Sequence, residues 1–384
     1  MKYVNSWDMN QCIVGTLLFC LAIGCSQESG VRVTVRNPLS LDRQKEAVEI
    51  GWTELQRKLE GVTDSTLVVW DAAGKEIPSQ VLFKGEKQPQ SLVFQADVAA
   101  GSEAVYRLVK RHPQVYEPQV YGRFVPERMD DYAWENNLVG HRMYGPALEA
   151  TGEISNGIDV WVKKTGELLI DEWYRTGDYH KDQGKGMDCY KVGRTLGAGA
   201  LAPYRDGKIV LGNNYIRQQT LDKGPVRISF RLDYAPFQVG KEEITETRVI
   251  TLDANSRFNR IEERFAGIKD SLEVAAGIVL RSEPGQMWKE AERGLMGYWE
   301  PQNNDNGENN GHLAVGVVFL QPLKEIAEKE GHLLGRTDYP VGESFVYYMG
   351  SGWSKGGVES PESWFEMLEQ EREKRLHPLQ VDME

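Results

Sequence analysis

Three neighbouring runs decide how this chain is read: RMDDYAWENNLVGHRMYGPAL (residues 128–148), NGIDVWVKKTGELLIDEWY (156–174) and GDYHKDQGKGMDCY (177–190). Within them, Ile158–Val162 and Leu168–Trp173 alternate apolar and polar residues, as half-buried strands do, and glycines separate the segments. The pattern continues outward on both sides. Upstream, Val31–Val35 (VRVTV) alternates, and further strands are expected at Lys45–Ile50, Thr66–Asp71, Ile77–Phe83, Ser91–Gln95 and Ala104–Val109. Gly-bearing turns such as Asp71-Ala-Ala-Gly74 join them, which predicts a small antiparallel sandwich over 31–112. Downstream, Lys208–Leu211, Val226–Tyr234, Glu243–Leu252, Phe258–Phe265, Leu272–Leu280, His312–Leu320 and Glu343–Tyr348 extend the β pattern. A mainly β fold follows: a small N-terminal β-sandwich, a Pro-rich crossing at His112–Arg123, then one large antiparallel domain over 113–384.

One helix closes the chain. Ser360 is its N-cap, Pro361 suits the first helical position, and Glu362 complements the helix dipole. Trp364, Phe365 and Leu368 form an apolar face expected to lock the sandwich, and Pro378 lies beyond the end. Trp52–Leu59 has room for a helical turn or two.

The N-terminus reads as an export signal. An apolar run, Ile13–Ile23 (IVGTLLFCLAI), is too short to span a bilayer and ends in Leu21-Ala22-Ile23-Gly24-Cys25, which resembles a lipobox. The expectation is a lipoprotein signal peptide at 1–24, a lipid on Cys25, and a tether over 25–30. The body would then sit in the bacterial cell envelope, held to a membrane by acyl chains alone. Cys189 would be the one cysteine left in the folded body, so neither a disulfide nor a thiolate zinc site is expected. With a net charge of −12, no basic stripe and no P-loop, nucleic-acid and nucleotide chemistry are excluded.

The central runs hold the chemistry. Indoles and phenols beside carboxylates and guanidinia suit a sugar, whose C–H faces stack on rings while its hydroxyls need oriented partners. Substrate contacts are expected from Arg128, Trp134, Glu135, Asn136, Trp161, Trp173, Tyr179 and Trp353; the competing reading puts many of these aromatics in the core. A β-eliminating lyase needs a base, an acid for the leaving oxygen, and a group that neutralises the uronate carboxylate. His180 or His141 could be the base, Tyr144, Tyr179 or Tyr190 the acid, and Arg142, Arg128 or Asn136 the neutraliser. On a regular strand Arg142 and Tyr144 share a face and His141 points away, which favours His180. A glycoside hydrolase would instead use two of the carboxylates Asp130, Asp131, Glu135, Asp159, Asp182 and Asp188. Asp182 and Asp188, with Asp178 and His180, also offer ligands that would suit Ca²⁺ or another divalent ion, although no EF-hand or zinc spacing is present.

The DDYAWENN…GHRMYGPAL and YHKDQGKGMDCY runs, the lipobox and the GSGW…SPESWF ending together resemble an uncharacterised domain family of exported bacterial proteins. Its members are often lipoproteins from polysaccharide-utilisation loci, encoded beside polysaccharide lyases and unsaturated-uronyl hydrolases. The resemblance implies a galactose-mutarotase-like β-supersandwich for the large domain and a uronate-bearing, pectin-like glycan as partner. It assigns no residue a role.

Overall fold

The computed structural model describes residues 30–269, 271–303 and 309–384; the expected signal peptide, Cys25 and most of the tether lie outside them. The alternation of Val31, Val33 and Val35 with polar neighbours builds the strand Gly30–Arg36, which pairs antiparallel with Glu103–Val109. Val68–Trp70 and Glu76–Ile77 extend this sheet on one side. On the other side it takes Gln380–Met383, the last strand of the chain. A three-stranded sheet (Arg43–Gly51, Ser91–Val98, Ser79–Leu82) covers it. Val33, Val35, Val48, Ile50, Phe94 and Leu108 fill the space between, and the helix Trp52–Lys58 adds Trp52 and Leu55.

The rest forms a larger sandwich. A nine-stranded sheet carries, in order, Tyr215–Lys223, Arg227–Tyr234, Glu242–Asp253, Phe258–Ala266, Phe345–Trp353, Asn309–Val318, Leu295–Asn303 and Gln286–Glu290, with Phe237–Val239 paired on Glu242–Asp253. Two five-stranded sheets share a core with it. The first runs Gly186–Asp188, Asp159–Lys163, Val139–Met143, Asp131–Asn136, Val120–Val125; the second runs Lys208–Ile209, Ala198–Arg205, Leu272–Val279, His332–Tyr339, Glu325–Lys329. All these ladders are antiparallel. A single parallel bridge, Ile158 to Gly197, ties the two smaller sheets together. A side chain on Gly157 would meet the backbone of Gly197 at 2.4 Å, so the crossing requires glycine.

Strand alternation sets the layers. Leu313, Val315 and Val317 face the inner core, whereas Ala314 and Val318 face outward under the closing helix Pro361–Leu376. Ser360 and Ser363 form a reciprocal capping box at its start. Trp364 and Leu368 are fully buried, and the Trp364 indole donates to the Val315 carbonyl at 3.1 Å. The helix lies so close that a Cβ on Gly316 would come within 2.5 Å of Leu368.

The mainly β architecture, the antiparallel sandwich layers and the C-terminal helix are as the sequence implies. One element differs. Leu168–Trp173, expected as a strand, lies largely in the α-helix Ile170–Thr176. The buried Glu135 carboxylate explains this, because it accepts the backbone N–H groups of Leu169 and Ile170 (2.7 Å for Ile170) and holds the first turn. Among the described residues no helix is long and apolar enough to cross a membrane.

Candidate active site

The register of the first five-stranded sheet assembles the site. Arg142 lies directly across from Asp159, and Asp188 pairs with Trp161 one strand further out. The guanidinium therefore meets Asp159 Oδ2 at 2.6 Å and Asp188 Oδ2 at 2.8 Å, with Asp131 at 3.8 Å. It also donates to Tyr144 Oη at 3.2 Å and lies over the rings of Tyr144 and Trp161. Three carboxylates on one buried cation cannot all stay ionised cheaply. Burial pushes Asp131 up to about 7, Arg142 and Arg128 opposing it. Burial, then repulsion from Asp188, pushes Asp159 up to about 7, and burial also raises Asp188.

Beside this cluster a cleft of about 570 Å³ opens, within the usual range for ligand pockets. The backbone N–H of Asp188 donates to the Tyr179 carbonyl at 2.8 Å and closes the loop 179–188. His180 is thereby folded back over Asp188. Its Nδ1 lies 3.5 Å from Asp188 Oδ2 and 3.4 Å from the Asp188 carbonyl, while the side chain stays 62% exposed. Tyr144, Arg142, Asp188, Tyr190, Cys189 and Gln302 line the cleft with buried or half-buried side chains, and Lys181, Lys191, Asn303 and Asn310 complete the lining. Tyr144 is held well above the usual phenol range by burial and then by Asp159, so it keeps its proton. Burial does the same to Tyr190 and to the Cys189 thiol, leaving that sulfur a poor nucleophile.

Other expected site residues lie elsewhere. His141 is fully buried, stacked on Trp134, and within 3.3 Å of Asn259 Nδ2 and 3.2 Å of Ser351 Oγ. Burial lowers it to about 3, which removes it as a solvent-facing base. Trp134 donates to Asn259 in the interior. Glu135 pairs with Lys163. Asn136 fastens a turn through Leu138, Val139, Asp253 and Ser256. Trp161, Trp173 and Tyr179 pack together behind Arg142 in a small buried cluster of their own. Arg128 is half-buried near Asp131 and Tyr179. Trp353 is buried and donates to the Asn310 carbonyl at 2.7 Å. These aromatics frame the site from behind and offer no stacking face to a ligand.

The metal expectation also changes. Asp182 bonds Lys164 at 2.7 Å and caps the N–H of Gly184, and Asp188 is taken by Arg142. Among the described residues no three His, Cys, Asp or Glu side chains are placed to hold a metal ion.

Sequence reading missed Arg281 and Glu300, which lie under Tyr190. Arg281 covers the Tyr190 ring at 4.5 Å, and its Nε is 3.7 Å from Glu300 Oε2. A charged residue ending each of two apolar runs, AAGIVLR and LMGYWE, was the available signal.

Fold and cleft together define a β-supersandwich protein with a polar, acid-floored pocket at the edge of one sheet. Its family is shown by comparison: the family described as "Domain of unknown function (DUF4861)" matches residues 35–381, and the chain belongs to this family. It is 30% identical over 378 residues to "Uncharacterized protein P7" of Formosa agariphila, covering 92% of this chain and 93% of that protein. Its fold is similar to that of an alpha-mannosidase from Enterococcus faecalis V583 (TM-score 0.51, 12% identity, 92% of this chain). A glycosyl hydrolase family 38 protein from Enterococcus faecalis is similar to the same degree, TM-score 0.51 at 12% identity. The chain spans about half the length of these two, 46% and 47%. At that identity the likeness concerns the fold alone.

Proposed function

We propose that this protein is a carbohydrate-active enzyme that cleaves a uronate-bearing, pectin-like glycan by β-elimination in the cleft beside Arg142. The observation that carries the reading is the pairing of an exposed imidazole, His180 on Asp188, with a protonated phenol, Tyr144, in one polar pocket. His180 takes the proton from the carbon next to the uronate carboxyl. That electron pair becomes a C=C bond as the C–O bond at the β carbon breaks, and Tyr144 gives its proton to the departing oxygen. Arg142 N–H donates to Tyr144 Oη and so helps stabilise the phenolate that forms.

Hydrolysis by paired carboxylates has less support. Asp131, Asp159, Asp188 and Glu135 are all buried and tied to Arg142 or Lys163; of these four Asp188 alone lines the cleft, with no second one there to pair with it across a glycosidic bond. The sequence between Ile13 and Cys25 supports a lipid-anchored protein of the cell envelope as the setting.

The test is incubation of purified protein with polymers and oligosaccharides of galacturonate, glucuronate and mannuronate. Elimination gives ultraviolet absorbance from the new double bond in step with new reducing ends. Reducing ends without absorbance mean hydrolysis, and affinity without either product means a glycan-binding protein.

A further inference from the structure

Elimination needs a positive group opposite the substrate carboxylate, and Arg142 cannot supply it, since three carboxylates already surround that guanidinium. Arg281 is differently placed. It leaves the second five-stranded sheet just after Leu272–Val279, and it faces one carboxylate, that of Glu300, at 3.7 Å. Neither Glu300 oxygen has a hydrogen-bond partner among the described residues, although the side chain is fully buried. Arg281 Nη2 and Tyr190 Oη, both buried, also lack one. Four polar atoms of three touching residues thus have no hydrogen-bond partner among the described residues at one spot, where the usual rule is near-complete pairing.

The spot adjoins the cleft: Tyr190 lines it, and Arg281 and Glu300 stand directly behind the Tyr190 ring.

We propose that Arg281, Tyr190 and Glu300 form the subsite that receives the carboxylate of a uronic acid. Arg281 supplies charge-assisted N–H donors, Tyr190 an O–H, and Glu300, once protonated, a second O–H. Glu300 is suited to that state because burial pushes it up to about 7, against the pull of Arg281. An arriving carboxylate raises it further, so binding takes up a proton above neutrality. The other groups facing the subsite are Cys189, Tyr298, His332 and Asp159. Cys189 and Tyr298 are held protonated by burial, burial keeps His332 below its ordinary value, and Asp159 shares its negative charge with Arg142. Tyr190 is left for the carboxylate, while Tyr144 serves the leaving oxygen. This subsite rests on the uronate reading above, but its test does not require turnover.

Calorimetric binding of galacturonate, glucuronate and mannuronate oligosaccharides, and of their carboxyl-reduced counterparts, is compared between pH 6 and 9. Wild-type protein is expected to prefer at least one uronate series by tenfold or more, with affinity falling as pH rises above 7. E300Q keeps the preference and loses the pH dependence. R281Q loses the preference, and the neutral double variant R281Q/E300Q does the same without stranding a buried charge. If the double variant folds and still prefers uronates, the subsite is wrong even where unsaturated product confirms elimination. If it loses the preference while wild type yields no unsaturated product, the subsite stands and elimination is wrong. Failure of wild-type protein to distinguish the two series overturns the subsite, and if no unsaturated product forms either, it overturns both.

Discussion

Arg142 and His180 meet the same atom, Oδ2 of Asp188, at 2.8 Å from the guanidinium and 3.5 Å from the imidazole. One side of that oxygen is interior and the other is the cleft. Asp188 therefore couples a buried charge cluster to the exposed ring proposed to move the proton, and the Asp188 carboxylate orients that ring through Nδ1.

Replacing His180 by asparagine is expected to lower the rate of unsaturated-product formation by about 10²–10⁴-fold, the usual worth of a general base. Affinity for the same oligosaccharide should stay within a few-fold, because His180 sits at the open side of the cleft. Initial rates and calorimetry on the variant check both halves, and an unchanged rate removes the imidazole from the mechanism.

Arg142→Met strands three buried carboxylates. A loss of about 3–5 kcal/mol is expected, as for other buried pairs broken on one side. The loss should be larger at pH 8.5 than at pH 5.5. Arg142 opposes the upward push of burial on Asp131 and Asp159; without it both rise beyond about 7, so ionising them inside the fold costs more as pH climbs. Denaturant midpoints at the two pH values measure the difference.

Glu300 gives the same sign in a cleaner form. Its folded value of about 7 lies above the ordinary 4.5, so its contribution is complete below 4.5 and lost as pH rises through 7. Each pH unit between those two values corresponds to about 1.4 kcal/mol, so Glu300 by itself should account for a loss of roughly 3 kcal/mol over that window. E300Q should lack this slope and be the more stable protein at pH 8. Parallel slopes for the two proteins would contradict the burial of a lone carboxylate there.

His141 runs the other way. Burial holds it near 3 in the fold, against an ordinary 6.5, so its contribution is complete above 6.5 and lost as pH falls toward 3. Proton–nitrogen NMR of the imidazoles should show His141 neutral throughout pH 5–8. A midpoint inside that range would mean that water reaches the ring.

The β character, most strand positions and the closing helix are legible in the amino-acid order, because these rest on local periodicity and capping chemistry. VRVTV is legible as a strand without its neighbours, and Ser360-Pro361 is legible as a helix start. The same order also brought His180, Arg142 and Tyr144 forward as a set, through one crowded stretch and one alternation argument. The tertiary structure alone decided which of the chemically able side chains face a ligand. Trp134, Trp161 and His141 are as able as any in composition, but sheet packing turns them inward. Leu168–Trp173 alternates like a strand, but a buried carboxylate 35 residues before Ile170 captures its N–H groups as a helix start. Arg281 and Glu300 come from segments far from His180 in the chain, and they meet beneath Tyr190 only when two sheets close on each other. Periodicity is a property of neighbours in sequence; burial and charge pairing are properties of neighbours in space.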